Sequence, residues 1–251
     1  KGKTELGVYG DFVYETDFCL VATMQALEKH GLDQNTIVVF TSDHGPAPYA
    51  GNILEATYNN VKGLEKMGHY PAGPLRGYKF SVYEGGTRVP FLIKWPHQIE
   101  PGSTCRRLIG LNDLMATLAE IAGVTLTSEQ ATDSISYLPL LKDPLADATR
   151  QNIQIQGTHG WAYRMGNWKL CLCPGSGALG VYGNVPKPAD AWAAAVREFG
   201  SKPTREQLLA SPFIQLYNLT DDLAEQNDVS QEHPKVVEQM FVLMQQQFNN
   251  G

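Results

Sequence analysis

The sequence predicts an α/β protein in two parts: an α/β sheet unit over residues 1–150 and a smaller antiparallel unit over 151–251 that ends in a helix. Three observations lead there. A helical pattern over 8–30 is followed closely by Ile37-Val38-Val39-Phe40, an unbroken apolar run of β-branched and aromatic residues, and helix, turn and buried strand in that order suit a parallel sheet. After Arg150 the texture changes to short alternating segments, the mark of antiparallel strands. Pro234 then opens a last stretch with apolar residues at helical spacing.

Taking the elements in order, Phe12, Thr16, Cys19, Leu20, Thr23, Met24 and Leu27 recur at helical spacing, and Gly31 is the stop. Asp33-Gln34-Asn35 turns the chain into a strand at 36–41. Residues 46–78 are so rich in Pro and Gly that they read as one long irregular loop, of the kind that serves function in a compact domain. Phe91 to Pro96 is a further strand ended by its proline. Leu111 to Ala122 is a helix capped by Asn112 or Asp113, with Leu114, Leu118 and Ile121 as its apolar side and Gly123 at its end. Leu138-Pro139-Leu140-Leu141 is a buried plug in the loop-rich stretch 124–150. The antiparallel strands are Ile153 to Gln156, Trp161 to Met165, Trp168 to Leu172 and Ile214 to Tyr217. An insertion at 174–212 separates the last two and holds helical stretches at 189–199 and 204–209. In the terminal helix Val236, Val237, Met240, Leu243, Met244 and Phe248 form one packing stripe.

With 251 residues, 43% of them hydrophobic and 18% charged, the chain can bury a sizeable core. A net charge of −6 argues against a nucleic-acid partner, whose binding surface would be basic, yet leaves room for a local anion site. No apolar run reaches the length of a membrane span. The four cysteines make neither a zinc spacing nor a dense disulfide framework, and Cys171 and Cys173 share one strand face without having to pair. Lys1-Gly2-Lys3 has no Met and helix-like residues follow at once, so the chain reads as starting inside a longer protein.

Four groups of residues can carry chemistry. Asp43 and His44 follow the first buried strand at its carboxyl end, where open α/β sheets bind ligands. Taken alone, the pair reads as a turn in which Asp43 caps the next segment; with further carboxylates it would hold Ca²⁺, Mg²⁺ or Zn²⁺. Lys79 is a compact charge suited to an oxyanion, and Arg76 and Arg88 lie near it in a glycine-punctuated segment that can approach a ligand closely. Glu84 with Arg88 reads as a structural ion pair or cap around the Gly85-Gly86 turn rather than as a pair acting on substrate. His69, beside Tyr70, is either an ordinary loop histidine or a substrate reader in a loop over the anion site.

TIVVFTSDHGP at Thr36 to Pro46 and GPLRGYKFSVYEGGTRVPFLIKWP at Gly73 to Pro96 closely resemble the second half of the sulfatase family, within the alkaline-phosphatase-like superfamily. The run Asp113 to Gly123, Tyr137 to Leu141, Arg164 to Leu170, Leu216 to Leu219 and Glu225-Gln226-Asn227 resemble later landmarks of the family, so the likeness covers nearly the whole chain apart from 174–212. It implies the C-terminal part of an alkaline-phosphatase-like α/β domain followed by the smaller antiparallel subdomain. By resemblance, Asp43 and His44 bind a divalent cation, Ca²⁺ in preference to Mg²⁺, and Lys79 binds the sulfate group as a catalytic and substrate-binding residue. His69 and Arg76 are further substrate-binding candidates, with Glu84 and Arg88 supporting them structurally.

The family's nucleophile is a formylglycine made from a Cys or Ser in a Cys-x-Pro-Ser-Arg-like motif, and none of the four cysteines here opens one. The family's paired N-terminal aspartates are missing too. The chain is therefore expected to supply part of the metal and sulfate sites, to be completed by the N-terminal half of the same protein, and to be inactive by itself. The implied activity is hydrolysis of a sulfate ester on a sulfated small molecule or glycan, with carbohydrate preferred, in a periplasmic, secreted or lysosomal setting. The alternatives are a phosphoester or phosphonate-ester hydrolase of the same superfamily and a non-catalytic module that binds sulfated glycans.

Overall fold

The computed structural model describes residues 2–49, 61–157, 160–173, 175–178 and 213–250. The helices expected at 189–199 and 204–209 lie outside these. Contact density divides the chain into one unit of residues 1–17, 44–89 and 154–251 and another of 18–43 and 90–153, rather than at a single break after residue 150.

Helix α1 (Gly7–Lys29) forms where the spacing places it, and Gly31 ends it at φ +64°, a left-handed conformation that glycine takes without a Cβ penalty. Its apolar side is not a buried one. Phe12 is 69% and Phe18 58% exposed, and Gly10 is the helix's buried residue.

Strand β1 (Val38–Thr41) pairs antiparallel with β2 (Phe91–Lys94), Val38 opposite Lys94 and Thr41 opposite Phe91. This corrects the parallel arrangement and the burial on both faces drawn from the sequence, for Val38, Val39 and Phe40 are half-buried. An apolar run encodes a wish for burial and carries no information on strand direction. In the same unit, α4 (Asp113–Ile121) and α5 (Leu138–Lys142) pack together, with Leu138 and Leu140 buried as the plug.

Neither capping candidate caps α4. The Asn112 amide donates to the Asp133 carbonyl oxygen. The Asp113 carboxylate receives Nε and Nη2 of Arg150 at 2.8 and 2.5 Å, and accepts the backbone N–H groups of Gly110 and Ile135 at 2.8 Å each. A carboxylate so surrounded is more useful as a buried lock than as a cap. Burial works against its charge, but the Arg150 and backbone hydrogen bonds prevail and hold its pKa below the usual value.

The other unit is built on a four-stranded sheet in the order β3-β4-β5-β6: β3 (Asn152–Gln156), β4 (Trp161–Met165), β5 (Trp168–Leu172) and β6 (Ile214–Asn218). The β4–β5 and β5–β6 pairs are antiparallel. Period-two alternation sorts its side chains. Tyr163, Leu170, Ile214 and Leu216 pack with Val237, Met240 and Met244 of α6 (Pro234–Asn250). Ala162, Cys171 and Tyr217, with Cys173, pack instead with Val82 and Tyr83. The segment 46–78 is not wholly irregular, since α2 (Val61–Lys66) lies within it.

Candidate functional site

Three stretches of the unit that holds β4, β5 and β6 meet backbone to backbone: His44–Pro46, Arg76–Lys79 and the short helix α3 (Glu84–Thr87). The Gly45 N–H donates to the Gly86 carbonyl at 2.9 Å, the Lys79 N–H to the Pro46 carbonyl at 2.9 Å, and the Gly85 N–H to the Arg76 carbonyl at 2.7 Å. Glycine makes this approach possible. A Cβ on Gly45 would stand 1.9 Å from the Gly85 carbonyl oxygen, and one on Gly85 would stand 2.3 Å from that of Gly77. On Gly86 it would meet the carbonyl oxygens of Ser81 and Tyr78 at 2.5 Å. The junction thus needs glycine at all three positions for steric reasons.

Lys79 emerges from this junction half-buried. Its Nζ donates to the Tyr49 hydroxyl at 3.3 Å and lies 5.4 Å from the centre of the Phe80 ring, within cation–π range. Phe80 sits at φ +81°, a left-handed conformation costly for an aromatic residue, and such strain gathers where backbone geometry serves a site.

The other predicted residues are placed differently. Asp43 is exposed and His44 half-buried. His44 Nδ1 lies 2.8 Å from the Gly45 carbonyl oxygen, which can only accept, so Nδ1 is the donor in this contact. Among the described residues no group of three or more His, Cys, Asp and Glu side chains converges as a metal cage. Asp43 and His44 are one oxygen and one nitrogen donor, suitable in kind for a divalent cation that needs further oxygens. The His69 ring is 5.7 Å from that of Tyr9. Arg76 is committed to the fold: its Nη1 donates to the Glu225 carbonyl at 2.5 Å, and its guanidinium carbon stands 4.3 Å over the Tyr83 ring. Arg88, half exposed, is 3.6 Å from the Glu84 carboxylate.

Glu84 has stronger partners that the sequence reading did not assign to it. It is 2% exposed, receives the Lys169 ammonium at 3.0 Å and Arg164 Nη1 at 3.3 Å, and its own N–H donates to Glu225 Oε2 at 2.6 Å. Lys169, with no exposed surface, also stands 2.9 Å from Glu225 Oε1. Burial opposes the charge on Glu84, yet Lys169 and Arg164 more than offset it and keep the carboxyl below its usual pKa. For Lys169 burial is likewise outweighed by Glu84 and Glu225, which raise its pKa. Glu225 goes the other way: burial prevails over Lys169 and pushes its pKa up. A lysine inside the apolar strand Trp168-Lys169-Leu170-Cys171 was the available signal, because a lysine is almost never fully buried unless paired. On the same sheet face Cys171 and Cys173 are free buried thiols, and burial raises both, Cys173 to about 12.

The sequence profile of the Sulfatase family matches residues 2–124. Over 244 residues the chain is 30% identical to an N-acetylgalactosamine-6-O-sulfatase of Bacteroides thetaiotaomicron, covering 97% of this chain and 42% of that one. It is 36% identical over 141 residues to the steryl-sulfatase of Mus musculus, covering 56% of this chain and 21% of the relative. The chain thus spans less than half the length of these relatives. A solved structure from work on glycosaminoglycan metabolism by Bacteroides thetaiotaomicron superposes with a TM-score of 0.77 at 29% identity, over 98% of this chain and 45% of that one. A sulfatase structure from Pseudoalteromonas, at 20% identity, gives 0.67 over 95% of this chain and 42% of its own, a likeness of fold alone.

Proposed function

Because the chain belongs to the sulfatase family and has its alkaline-phosphatase-like α/β fold, we propose that the protein carrying it is a sulfuric-ester hydrolase acting on a carbohydrate sulfate. The observation that carries this reading is the glycine junction, in which the Lys79 N–H donates to the Pro46 carbonyl and the Gly45 N–H to that of Gly86. In this reading Lys79 meets the sulfate group as a point charge that neutralises its oxygens. Tyr49 and the Phe80 ring orient the ammonium. Asp43 and His44 would hold a divalent cation, calcium in preference to magnesium, and that cation would supply Lewis-acid neutralisation of the sulfate oxygens. The nucleophile, a formylglycine, and the remaining metal ligands are assigned to the N-terminal half of the same protein. Phe12, Val13, Tyr14 and Phe18 on α1 are exposed, which agrees with cover from that half. Arg76 serves position rather than substrate, and His69 is the loop residue offered for reading the sugar. A setting outside the cytosol follows from the family.

The test is a substrate panel run on the protein that carries this chain: 6-O-sulfated N-acetylgalactosamine, an aryl sulfate and an aryl phosphate. Release of sulfate from the sugar at the highest kcat/KM is the expected result. Preference for the aryl phosphate would move the assignment to phosphoester hydrolysis, and retention of the sulfated sugar without turnover would make the protein a binding module.

A further inference from the structure

We propose that Lys169, Glu84 and Glu225 are positioning residues for Lys79, and that the four-stranded sheet is the bed on which the glycine junction is held in place. The role of Lys79 rests on the sulfatase reading; the brace itself does not.

The connection can be followed contact by contact within one unit. Arg164, Lys169 and Tyr217 are directly opposed on β4, β5 and β6 and form one cross-strand row. The other face of the sheet is packed against α6, so this row has little freedom to shift. Lys169 joins Glu84 and Glu225 at 3.0 and 2.9 Å. Both carboxylates are tied to the junction's backbone: Glu84 is the first residue of α3, and Glu225 accepts its N–H. From α3 the Gly86 carbonyl takes the Gly45 N–H, and the next residue, Pro46, takes the N–H of Lys79. Arg76 closes the circuit, accepting from Gly85 through its carbonyl while its guanidinium returns to the Glu225 carbonyl and, at 3.5 Å, to the Tyr217 hydroxyl.

Ion pairs of this kind are poor stabilisers, because removing three charges from water offsets most of their mutual attraction. What they supply is direction. An ammonium fixed between two carboxylates allows one arrangement of the backbone, where apolar side chains of equal volume would permit several. Glu225 reinforces this by holding φ +52° itself, so its carbonyl and carboxylate present to Arg76 and Glu84 at once.

Amide hydrogen exchange at Gly45 and Lys79, with steady-state kinetics on an aryl sulfate, tests the brace in Glu225→Ala and Glu225→Gln. The alanine variant should speed exchange at both amides and lower kcat by about tenfold to a hundredfold with a much smaller change in KM, the size of effect that slight misplacement of a reacting group produces. The glutamine variant keeps an acceptor for the Glu84 N–H and should restore both readouts most of the way. Exchange at Gly45 and Lys79 unchanged in the alanine variant overturns the proposal, as does a loss of kcat that merely follows the loss of folded protein. Should the alanine variant not fold, Arg164→Gln, at a side chain 20% exposed, reads the same two amides, and parental exchange there overturns it equally. A parent protein without turnover on any sulfate ester would sink the sulfatase reading, while the exchange experiment would still decide the brace.

Discussion

Lys79 and Arg88 lie nine positions apart in one basic segment, and the structure gives them different surroundings. Lys79 stands beside Tyr49 and the strained Phe80, whereas Arg88 is the outermost and longest of the three cationic contacts to Glu84. Lys79→Ala is expected to lower kcat/KM for a sulfate ester far more than Arg88→Lys, and equal losses in the two variants would refute that division of roles. Gly45 makes a different demand. A methyl group there would press on the Gly85 carbonyl oxygen at 1.9 Å, and overpacking of this sort costs about 1–3 kcal/mol. Urea unfolding of Gly45→Ala should register that cost, and turnover should fall with it because Lys79 is bonded to the adjoining proline.

At the level of elements, α4 and α6 are held in unlike ways. Asp113 starts α4 and locks it to Arg150 and the Ile135 backbone, with its pKa held below the usual 3.8. A depressed carboxyl contributes stability that is complete above its ordinary value and is lost as pH falls through its own lower one. The stability gap between the parent and Asp113→Asn should therefore be full at neutral pH and close as the solution is acidified below 3.8, since the protonated parent also leaves Arg150 without a carboxylate. Helix α6 is held by apolar contact instead. Met240 has no exposed surface and packs among Tyr163, Leu170 and Leu216, so Met240→Ala should cost about 2–5 kcal/mol in denaturant unfolding.

For the molecule as a whole, Asp43 and His44 offer two donors, and the proposed cation links this chain to the remainder of the protein. If they hold calcium, a chelator should lower both the melting temperature and the turnover of the protein, with calcium restoring them better than magnesium, because a ligand bound to the folded state stabilises it by mass action. A melting curve and an activity both indifferent to chelation would remove the metal from the assignment.

Local order is what the sequence determined by itself. The helix over 7–29, the strands around 38–41 and 91–94, the four short strands of the antiparallel sheet and the helix after Pro234 follow from periodicity and from Gly and Pro punctuation, which act over a few residues. Glu84 with Arg88 was within reach for the same reason, being four positions apart. Tertiary structure alone decided the rest. It turned the β1–β2 pair antiparallel, engaged Asp113 with Arg150 across 37 positions, and brought Glu84 to Lys169 across 85. A buried charge announces that it needs a partner without saying which one, because Coulomb attraction is indifferent to sequence distance and only the packed backbone fixes who is near. So it is with the segment around Glu84: its glycine-rich turn was legible in the sequence, but the Arg164 and Lys169 side chains that meet it from β4 and β5 were not.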